Sequence, residues 1–191
     1  MQIQKLKKLI SKILLKYKLN KKDAEICTKA LINAELVGAP SHGVSRLKMY
    51  CERIDKKVIN PKPKIKIKRV SNSVSFIDAD NSIGFVAADK GIKETIKIAK
   101  KTGIALVGIK NSGHYGLSGY YIEQAVKKNL LAFAFTNAPP AIAPHGGKKT
   151  IFGTNPICFG SPTNNNIPFI LDTSMSMINS CLLYTSDAAD D

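Results

Sequence analysis

The chain has 191 residues, 44% of them hydrophobic and 23% charged, so it can bury a core of its own, and no apolar run approaches the roughly 18 residues of a membrane helix. Lysines interrupt the apolar N-terminus, so we expect no secretory signal and a cytoplasmic protein. The four cysteines show neither a CxxC pair nor a zinc spacing, so we expect no disulfide framework and no metal site. The net charge of +15 would suit a nucleic-acid-binding module, but the basic residues are almost all lysines spread along the chain, which favours a compositional origin.

The first part of the chain is predicted to be helical. Apolar residues at helical spacing predict an amphipathic helix over residues 4–17, docked on a core rather than on a membrane. Asn20 is a suitable N-cap for a second helix, which ends near Gly38. A third helix is predicted over residues 44–54. Together these helices form a predicted N-terminal unit, residues 1–62.

Strands and helices alternate in the rest of the chain. We predict helices over residues 85–101 and 117–128, and strands over residues 65–70, 74–77, 104–109, 131–136, 157–160 and 168–172. The run IALVGI, residues 104–109, has the pattern of a buried strand. Residues 137–156 are rich in Pro and Gly and poor in periodicity, which predicts a long loop that is ordered or functional. This order predicts an α/β fold, with an α/β domain over residues 63–179.

The last residues differ in character from the rest. The string SCLLYTSDAADD, residues 180–191, looks like the translation of a sequencing-library adaptor, and the alternative is a genuine polar C-terminus. We therefore expect the natural chain to continue past residue 179. The 191-residue product should be poorly folded or inactive alone, because its helices would expose apolar faces.

All three histidines stand beside glycine, in the strings SHG (41–43), GHYG (113–116) and HGG (145–147). A loop histidine with glycine neighbours is open to a ligand, and its ordinary pKa of about 6.5 lets it carry a proton at cellular pH. The alternative for each one is a loop histidine whose hydrogen bonds are satisfied locally.

His42, Arg46 and Tyr50 are spaced four residues apart. If a helix begins just after His42, the three side chains fall broadly on one face. Such a row suits a small hydroxy acid, because the guanidinium can bind the carboxylate while the imidazole handles the alcohol proton. The spacing equally allows Arg46 to pair with an acid on a neighbouring helix and Tyr50 to pack in the core.

The usual nucleotide fingerprints, GxGxxG and the Walker A loop, do not occur, so any nucleotide must be held in another way. The strings SHGVSRLKMY, NSGHYGLSGYY, APHGGKKTIFGTNPICFGSP and LDTSMSM, in this order, resemble the malate/L-lactate dehydrogenase family, which includes ureidoglycolate, sulfolactate and diketogulonate oxidoreductases. The resemblance covers residues 1–179. Its specificity lies in the joint occurrence of the motifs.

The resemblance implies a non-Rossmann NAD(P)-binding fold, and a homodimer with its site near the subunit interface. It also implies hydride transfer between NAD or NADP and a small 2-keto or 2-hydroxy acid. His42 is the leading proton donor or acceptor and His114 the second candidate, while Arg46 and Tyr50 would hold the substrate carboxylate. The residues expected at the cofactor are Asn137, Ala138, Asp172, Thr173, Ser174 and Ser176.

The substrate stays open at this point. The string DTSMSM departs from the family's commoner D-x-A-T-S and is closer to the diketogulonate branch, whereas GHYG is closer to the malate and lactate branch. Two other classes of function also remain: a lysine-rich nucleic-acid-binding module, and a cofactor-free interaction protein that keeps the family fold. The absence of Trp and an aromatic content of 7% argue against the first, so we expect no nucleic-acid and no membrane partner.

Overall fold

The computed structural model describes residues 2–165 and 167–176 of the chain. The helices in these ranges are α1 (Ile3–Lys16), α2 (Lys21–Leu36), α3 (Leu47–Asp55), α4 (Gly84–Thr102) and α5 (Gly119–Val126). The strands are β1 (Lys66–Arg69), β2 (Val74–Ser82), β3 (Leu106–Ser112), β4 (Ala132–Phe135), β5 (Ile157–Ser161) and β6 (Phe169–Thr173). The predicted tail, residues 180–191, lies outside the described residues.

The chain forms two compact units, residues 1–121 and residues 122–191, and the division falls within α5. The first unit contains α1 to α4 and a sheet of order β1-β2-β3, and the second contains a sheet of order β4-β5-β6. This mixture of helices and sheets confirms the predicted α/β class. The division into a helical unit, residues 1–62, and a nucleotide-binding domain, residues 63–179, stays a prediction.

The apolar faces of α1 and α2 lie in the core of the first unit. Ile10 and Leu14 are fully buried, whereas Leu9 on the other side of α1 is 50% exposed, which confirms the predicted amphipathic pattern. The side chain of Asn20 accepts a hydrogen bond of 2.9 Å from the N–H of Asp23, so the predicted N-cap of α2 is confirmed. Such a cap stabilises a helix by about 1 kcal/mol.

The third helix begins later than predicted. Pro40–His42 and Val44–Arg46 form two 3-10 turns, and α3 begins only at Leu47. The Ser45 hydroxyl donates to the carbonyl of Pro40, and such side-chain bonds to nearby backbone compete with α-helical hydrogen bonds. The predicted row of three side chains on one continuous helix is therefore wrong, because His42 and Arg46 each end a 3-10 turn.

The sheet of the first unit has one covered face. Ser75, Ile77 and Ala79 of β2 are buried there, in the alternation expected of a strand. The helix α4 joins β2 to the parallel strand β3 and packs closely on it, since a Cβ at Gly91 would lie 2.6 Å from Cδ1 of Ile109. However, β3 is an edge strand with exposed apolar side chains, so the prediction of a buried strand at residues 104–109 is wrong for this chain.

The second unit is built on an antiparallel sheet. One of its faces packs against α5, where Cys158 is fully buried and a Cβ at Gly160 would lie 2.4 Å from Cγ2 of Ile122. The opposite face leaves large apolar side chains half or more exposed, namely Phe133, Phe135, Phe169 and Leu171. None of the described helices combines the length and apolarity needed to cross a bilayer.

Candidate active site

The segment that carries His114 follows β3, and two glycines set its path. Gly84, the first residue of α4, lies so close to it that a Cβ would stand 2.2 Å from the carbonyl oxygen of Gly113. Gly116 has a φ of 78°, which glycine adopts without strain, and a Cβ there would meet the ring of Phe85. These close approaches hold the backbone of His114 against the start of α4.

Two donors bind the same nitrogen of His114. The N–H of Gly116 donates to Nδ1 over 3.2 Å, and the hydroxyl of Tyr50 lies 2.6 Å from the same atom. Because a backbone N–H can only donate, Nδ1 is an acceptor and the Tyr50 hydroxyl donates to it as well. The hydrogen-bond network therefore assigns the proton of the neutral ring to Nε2.

Burial and neighbouring positive charge keep His114 neutral. Burial lowers its pKa most, and the charges of His42, Arg46 and Arg53 lower it further, to about 4. Burial also raises the pKa of Tyr50, so its hydroxyl keeps the proton that it donates. At neutral pH His114 is thus an uncharged ring that can donate a hydrogen bond from Nε2.

His42 stands beside His114 in the first unit. The two ring centroids are 5.7 Å apart, and the ring planes differ by 23°. The Ser41 hydroxyl oxygen lies 3.0 Å from Nδ1 of His42, at the end of the first 3-10 turn. The structure therefore brings together the two predicted catalytic histidines, which are far apart in the sequence.

Arg46 belongs to the same group. Its Nε donates to the carbonyl oxygen of Ser41 over 2.7 Å. Its charge helps to lower the pKa of His114, and it offsets only part of the rise that burial causes in the pKa of Tyr50. Within residues 2–165 and 167–176, no carboxylate forms an ion pair with Arg46, so the structure does not support the alternative of an acid on a neighbouring helix. A guanidinium beside two imidazoles can attract a carboxylate ligand.

Tyr50 combines packing with a polar contact. Its ring is fully buried, with its centroid 4.9 Å from that of Phe85, as the packing alternative expects. Its hydroxyl nevertheless reaches His114 and so belongs to the site. A direct contact between Tyr50 and a substrate carboxylate, which the resemblance implies, stays a prediction.

The residues expected at the cofactor lie in the second unit, most of them at one end of its sheet. Phe135 of β4 pairs with Ile157 of β5, which pairs in turn with Thr173 of β6. The chain therefore leaves β4, enters β5 and leaves β6 at the same end of the sheet. This end carries the predicted residues Asn137, Ala138, Thr173, Ser174 and Ser176.

The GTNP motif holds this end of the sheet together. The N–H of Ala138 donates to Oδ1 of Asn155 over 2.9 Å, and the N–H of Met175 donates to the carbonyl of Thr154 over 3.0 Å. Gly153 approaches Ala138 so closely that a Cβ would lie 2.2 Å from its carbonyl oxygen. The motif thus links the segment after β4 to the segment after β6.

Asp172 and Thr173 lie on opposite faces of β6, because neighbours on a strand alternate. Asp172 is in register with Cys158, whose pKa is raised to about 12 by burial and then by the Asp172 charge. The hydroxyl of Thr173 donates to the carbonyl of Ser174, and the hydroxyl of Ser174, just after the strand, donates to the carbonyl of Ser176. The structure therefore does not bring the whole predicted set onto one face of the sheet.

The predicted long loop between β4 and β5 is confirmed, and it contains an isolated β-bridge between Ile142 and Phe152. The third histidine, His145, is exposed within this loop. In the part of the chain that the structure describes, no group of three His, Cys, Asp or Glu side chains is arranged to hold a metal ion.

Comparison with known proteins identifies the family. Residues 1–189 match the family model described as malate/L-lactate dehydrogenase. The chain belongs to the malate/L-lactate dehydrogenase family. The malate dehydrogenase of Pyrococcus abyssi is 41% identical over 169 residues, which are 88% of this chain and 46% of that protein. The chain spans about half the length of the curated relatives it matches.

Other members of the malate/L-lactate dehydrogenase family agree with this assignment. The (2R)-3-sulfolactate dehydrogenase (NADP(+)) of Chromohalobacter salexigens is 38% identical over 158 residues, covering 82% of this chain and 46% of that protein. The solved malate dehydrogenase of Pyrococcus horikoshii matches with a TM-score of 0.91 at 38% identity, covering 96% of this chain and 52% of that one. These similarities confirm the fold expected from the resemblance.

One residue in each unit of this family member shapes a predicted group of residues and was not itself predicted from the sequence. Gly84 lets α4 approach the His114 segment. A glycine between a predicted strand and a predicted helix can indicate a close approach of two backbone segments, and this sequence signal was available. Asn155 lies within the GTNP motif, and its φ of 37° is a conformation that Asn tolerates better than most residues. Its bond to Ala138 forms only because the long loop brings residues 138 and 155 together, and the local sequence pattern does not predict that contact.

Proposed function

We propose that the protein containing this chain transfers a hydride between NAD(P)H and a small, malate- or lactate-like 2-keto or 2-hydroxy acid. The observation that carries this proposal is the cluster in which Tyr50 bonds His114, His42 stacks on His114, and Arg46 bonds the carbonyl of Ser41, next to His42. Reduction of a 2-keto acid needs these groups: a proton carrier, a donor to the substrate oxygen and a cation for the carboxylate. The relatives are named for malate and sulfolactate, which are both 2-hydroxy acids.

His42 carries the proton in this proposal. His114 is neutral, with donors on Nδ1 and its proton on Nε2, so it suits a hydrogen bond to the substrate oxygen better than the release of a proton. His42 gives a proton to that oxygen when the keto acid is reduced, and takes it back when the hydroxy acid is oxidised. The two histidines thus have different tasks, set by their different surroundings.

Arg46 binds the substrate carboxylate in the same scheme. Its fork of N–H donors matches the two oxygens of a carboxylate, and a fixed carboxylate orients the neighbouring carbonyl. Tyr50 remains a candidate for the carboxylate side, but its observed bond gives it first the task of holding the His114 ring. Arg46 and Tyr50 therefore act on substrate binding and on ring position respectively.

The cofactor in the proposal is NAD or NADP, and the chemistry of the second unit fits a dinucleotide. The end of the β4-β5-β6 sheet offers amides and hydroxyls, from Asn137, Ala138, Thr173, Ser174 and Ser176, and Asp172 stands on the opposite face for a ribose hydroxyl. When bound, the nicotinamide supplies or accepts the hydride at carbon 2 of the substrate.

We also propose that the whole protein is a cytoplasmic homodimer, as the family resemblance implies. The apolar side chains that a single chain leaves exposed on the β4-β5-β6 sheet support burial in a larger assembly. Neither a nucleic acid nor a membrane is a partner in this proposal.

Paired histidine variants of the whole protein test the function. We expect His42→Ala to lower kcat on the order of 10²–10⁴-fold while the Kd for NADH, measured by fluorescence, changes little. We expect His114→Ala to raise the KM for the keto acid as well as to lower kcat. Equal losses of kcat and NADH binding in His42→Ala would point to a structural role for His42.

The wild-type protein supplies the decisive control. Failure to bind NADH and to reduce any of a panel of 2-keto acids with either nucleotide would overturn the proposal. Binding of DNA with a steep salt dependence would then favour the lysine-rich nucleic-acid-binding module.

A further inference from the structure

The loop that carries His42 is anchored to the preceding helix by Glu35. Oε1 of Glu35, at the end of α2, accepts a hydrogen bond of 2.7 Å from the N–H of Val44. Val44 begins the second 3-10 turn, two positions after His42. A carboxylate of α2 therefore fixes the backbone immediately beyond the histidine.

Gly43 leaves the space that this carboxylate occupies. A Cβ built on Gly43 would lie 2.2 Å from Oε1 and 2.8 Å from Cδ of Glu35. The φ of Gly43 is −94°, so no left-handed backbone is involved, and a side chain at this position fits only if the Glu35 carboxylate moves away. Glu35 and Gly43 are therefore a matched pair, because a side chain at position 43 would displace the acceptor of the Val44 N–H.

The remaining contacts of the loop have a different role. The bonds of the His42 N–H to Ala39, of the Ser45 hydroxyl to Pro40 and of Arg46 Nε to Ser41 fix the shape of the loop itself. Backbone bonds tie its entry to α2, from the N–H of Gly38 to the carbonyl of Glu35 and from the N–H of Ala39 to that of Ala34, and the Glu35 side chain ties it again near its exit, at Val44. The exit tie depends on a single side chain, and it lies next to the histidine.

We propose that Glu35 is a positioning residue, which holds the SHG turn so that the His42 ring stays beside His114. The inference rests on the proposed function, in which His42 carries the proton. Glu35 acts through the backbone of Val44 and not on the reacting atoms. Its loss should therefore reduce turnover more than nucleotide binding.

Substitutions at position 35 in the whole protein test this role. We expect Glu35→Ala to lower kcat roughly tenfold to a hundredfold with the Kd for NADH unchanged, since small displacements of a reacting group are costly. Glu35→Gln keeps an oxygen acceptor for the Val44 N–H and should retain most of the activity. The matched control is Glu25→Ala, which removes an exposed α2 carboxylate that pairs with Lys29, and it should keep wild-type kcat.

The pairing itself is tested with Gly43→Ala, alone and together with Glu35→Ala. The single Gly43→Ala variant should lower both Tm and kcat, because the new methyl group displaces the carboxylate. In the double variant the clash is absent, so the loss of Tm should be smaller than the sum of the two single losses.

The outcomes separate this inference from the proposed function. Additive losses of Tm, or a Glu35→Ala variant with wild-type kcat, would overturn the positioning role and leave the proposed function intact. A wild-type protein without dehydrogenase activity would overturn the proposed function and the role of Glu35 in it, whereas the melting data would still report the coupling of Glu35 with Gly43.

Discussion

The hydroxyl of Tyr50 donates a hydrogen bond of 2.6 Å to Nδ1 of His114, which lies 64 positions further along the chain. Tyr50 is itself fully buried against Phe85, so this bond connects the hydrophobic core of the first unit to a polar site. Since Nδ1 accepts from Tyr50 and from the Gly116 N–H, Nε2 carries the proton. The core therefore determines both the position and the tautomer of His114.

Tyr50→Phe removes this bond and keeps the buried ring. We expect kcat to fall about tenfold, because the His114 ring loses one of the two groups that hold it, and the free energy of unfolding to fall by about 1 kcal/mol. Steady-state kinetics and urea unfolding measure the two effects. Tyr17→Phe, a tyrosine beside Asp55 in the same unit, is the control and should leave kcat unchanged. Wild-type kcat in Tyr50→Phe would show that the bond does not serve the reaction.

His114 should make the first unit less stable in acid. Its pKa is lowered from 6.5 to about 4 in the folded chain, so the unfolded chain takes up the proton first as the pH falls. The contribution of neutral His114 to the free energy of unfolding is fully present above the pKa of the unfolded chain, 6.5. It is lost as the pH falls from that value to the pKa of the folded chain, about 4. The loss amounts to on the order of 3 kcal/mol.

The variant His114→Asn tests this pH dependence, because an amide cannot take up the proton. We expect its free energy of unfolding, measured by urea titration at several pH values, to fall less steeply than that of the wild type between pH 7 and pH 4. The comparison removes the general acid sensitivity that the basic chain has in both proteins. Parallel curves for the two proteins would mean that His114 does not titrate differently on folding.

Local chemistry made much of the fold predictable. Asn20 starts α2, as its capping preference predicted, and α4 ends at Gly103, whose φ of 80° suits glycine, close to the predicted end at residue 101. The start of α3 was not predictable from apolar spacing, because Ser45 and Arg46 return hydrogen bonds to the backbone of Pro40 and Ser41. Those bonds replace the first α-helical turn with 3-10 geometry.

The site was predictable in its residues and not in its arrangement. Glycine neighbours marked all three histidines and the family resemblance selected His42 and His114, but nothing in the spacing placed one ring beside the other. Their proximity depends on the packing of α4, through Gly84, against the His114 segment, and such contacts between distant segments leave no periodic signal. Glu35 was missed for a similar reason, since an acid near a helix end has many possible partners.

Lys57 offers a test of backbone strain. It adopts a φ of 57° directly after the C-cap of α3, a left-handed conformation that costs a residue with a side chain about 1 kcal/mol relative to glycine. We expect Lys57→Gly to raise the free energy of unfolding by up to about 1 kcal/mol in a denaturant titration. Lys57→Ala should bring no gain, because the methyl group keeps the strain. Lys48→Gly, inside α3, should instead lower stability by about 1 kcal/mol. Equal stability of the Gly and Ala variants at position 57 would contradict the argument.

Asn155 should control nucleotide affinity through the shape of the loop. Its Oδ1 accepts from the Ala138 N–H, so Asn155→Ala frees the segment after β4, which must then be ordered when the nucleotide binds. We expect the Kd for NADH, measured by fluorescence, to rise about tenfold. Asn164→Ala, at an exposed turn of the same unit, should leave it unchanged.

Asn155→Asp separates loop shape from charge. It keeps an acceptor for the Ala138 N–H but places a negative charge beside a site proposed for an anionic dinucleotide. Added salt screens the repulsion, so the affinity of Asn155→Asp for NADH should partly recover as the salt concentration rises. Asn155→Ala loses affinity because its loop is less ordered, so its loss should persist at all salt concentrations. Wild-type affinity in Asn155→Ala, or the same salt response in both variants, would show that the Asn155–Ala138 bond does not shape the nucleotide site.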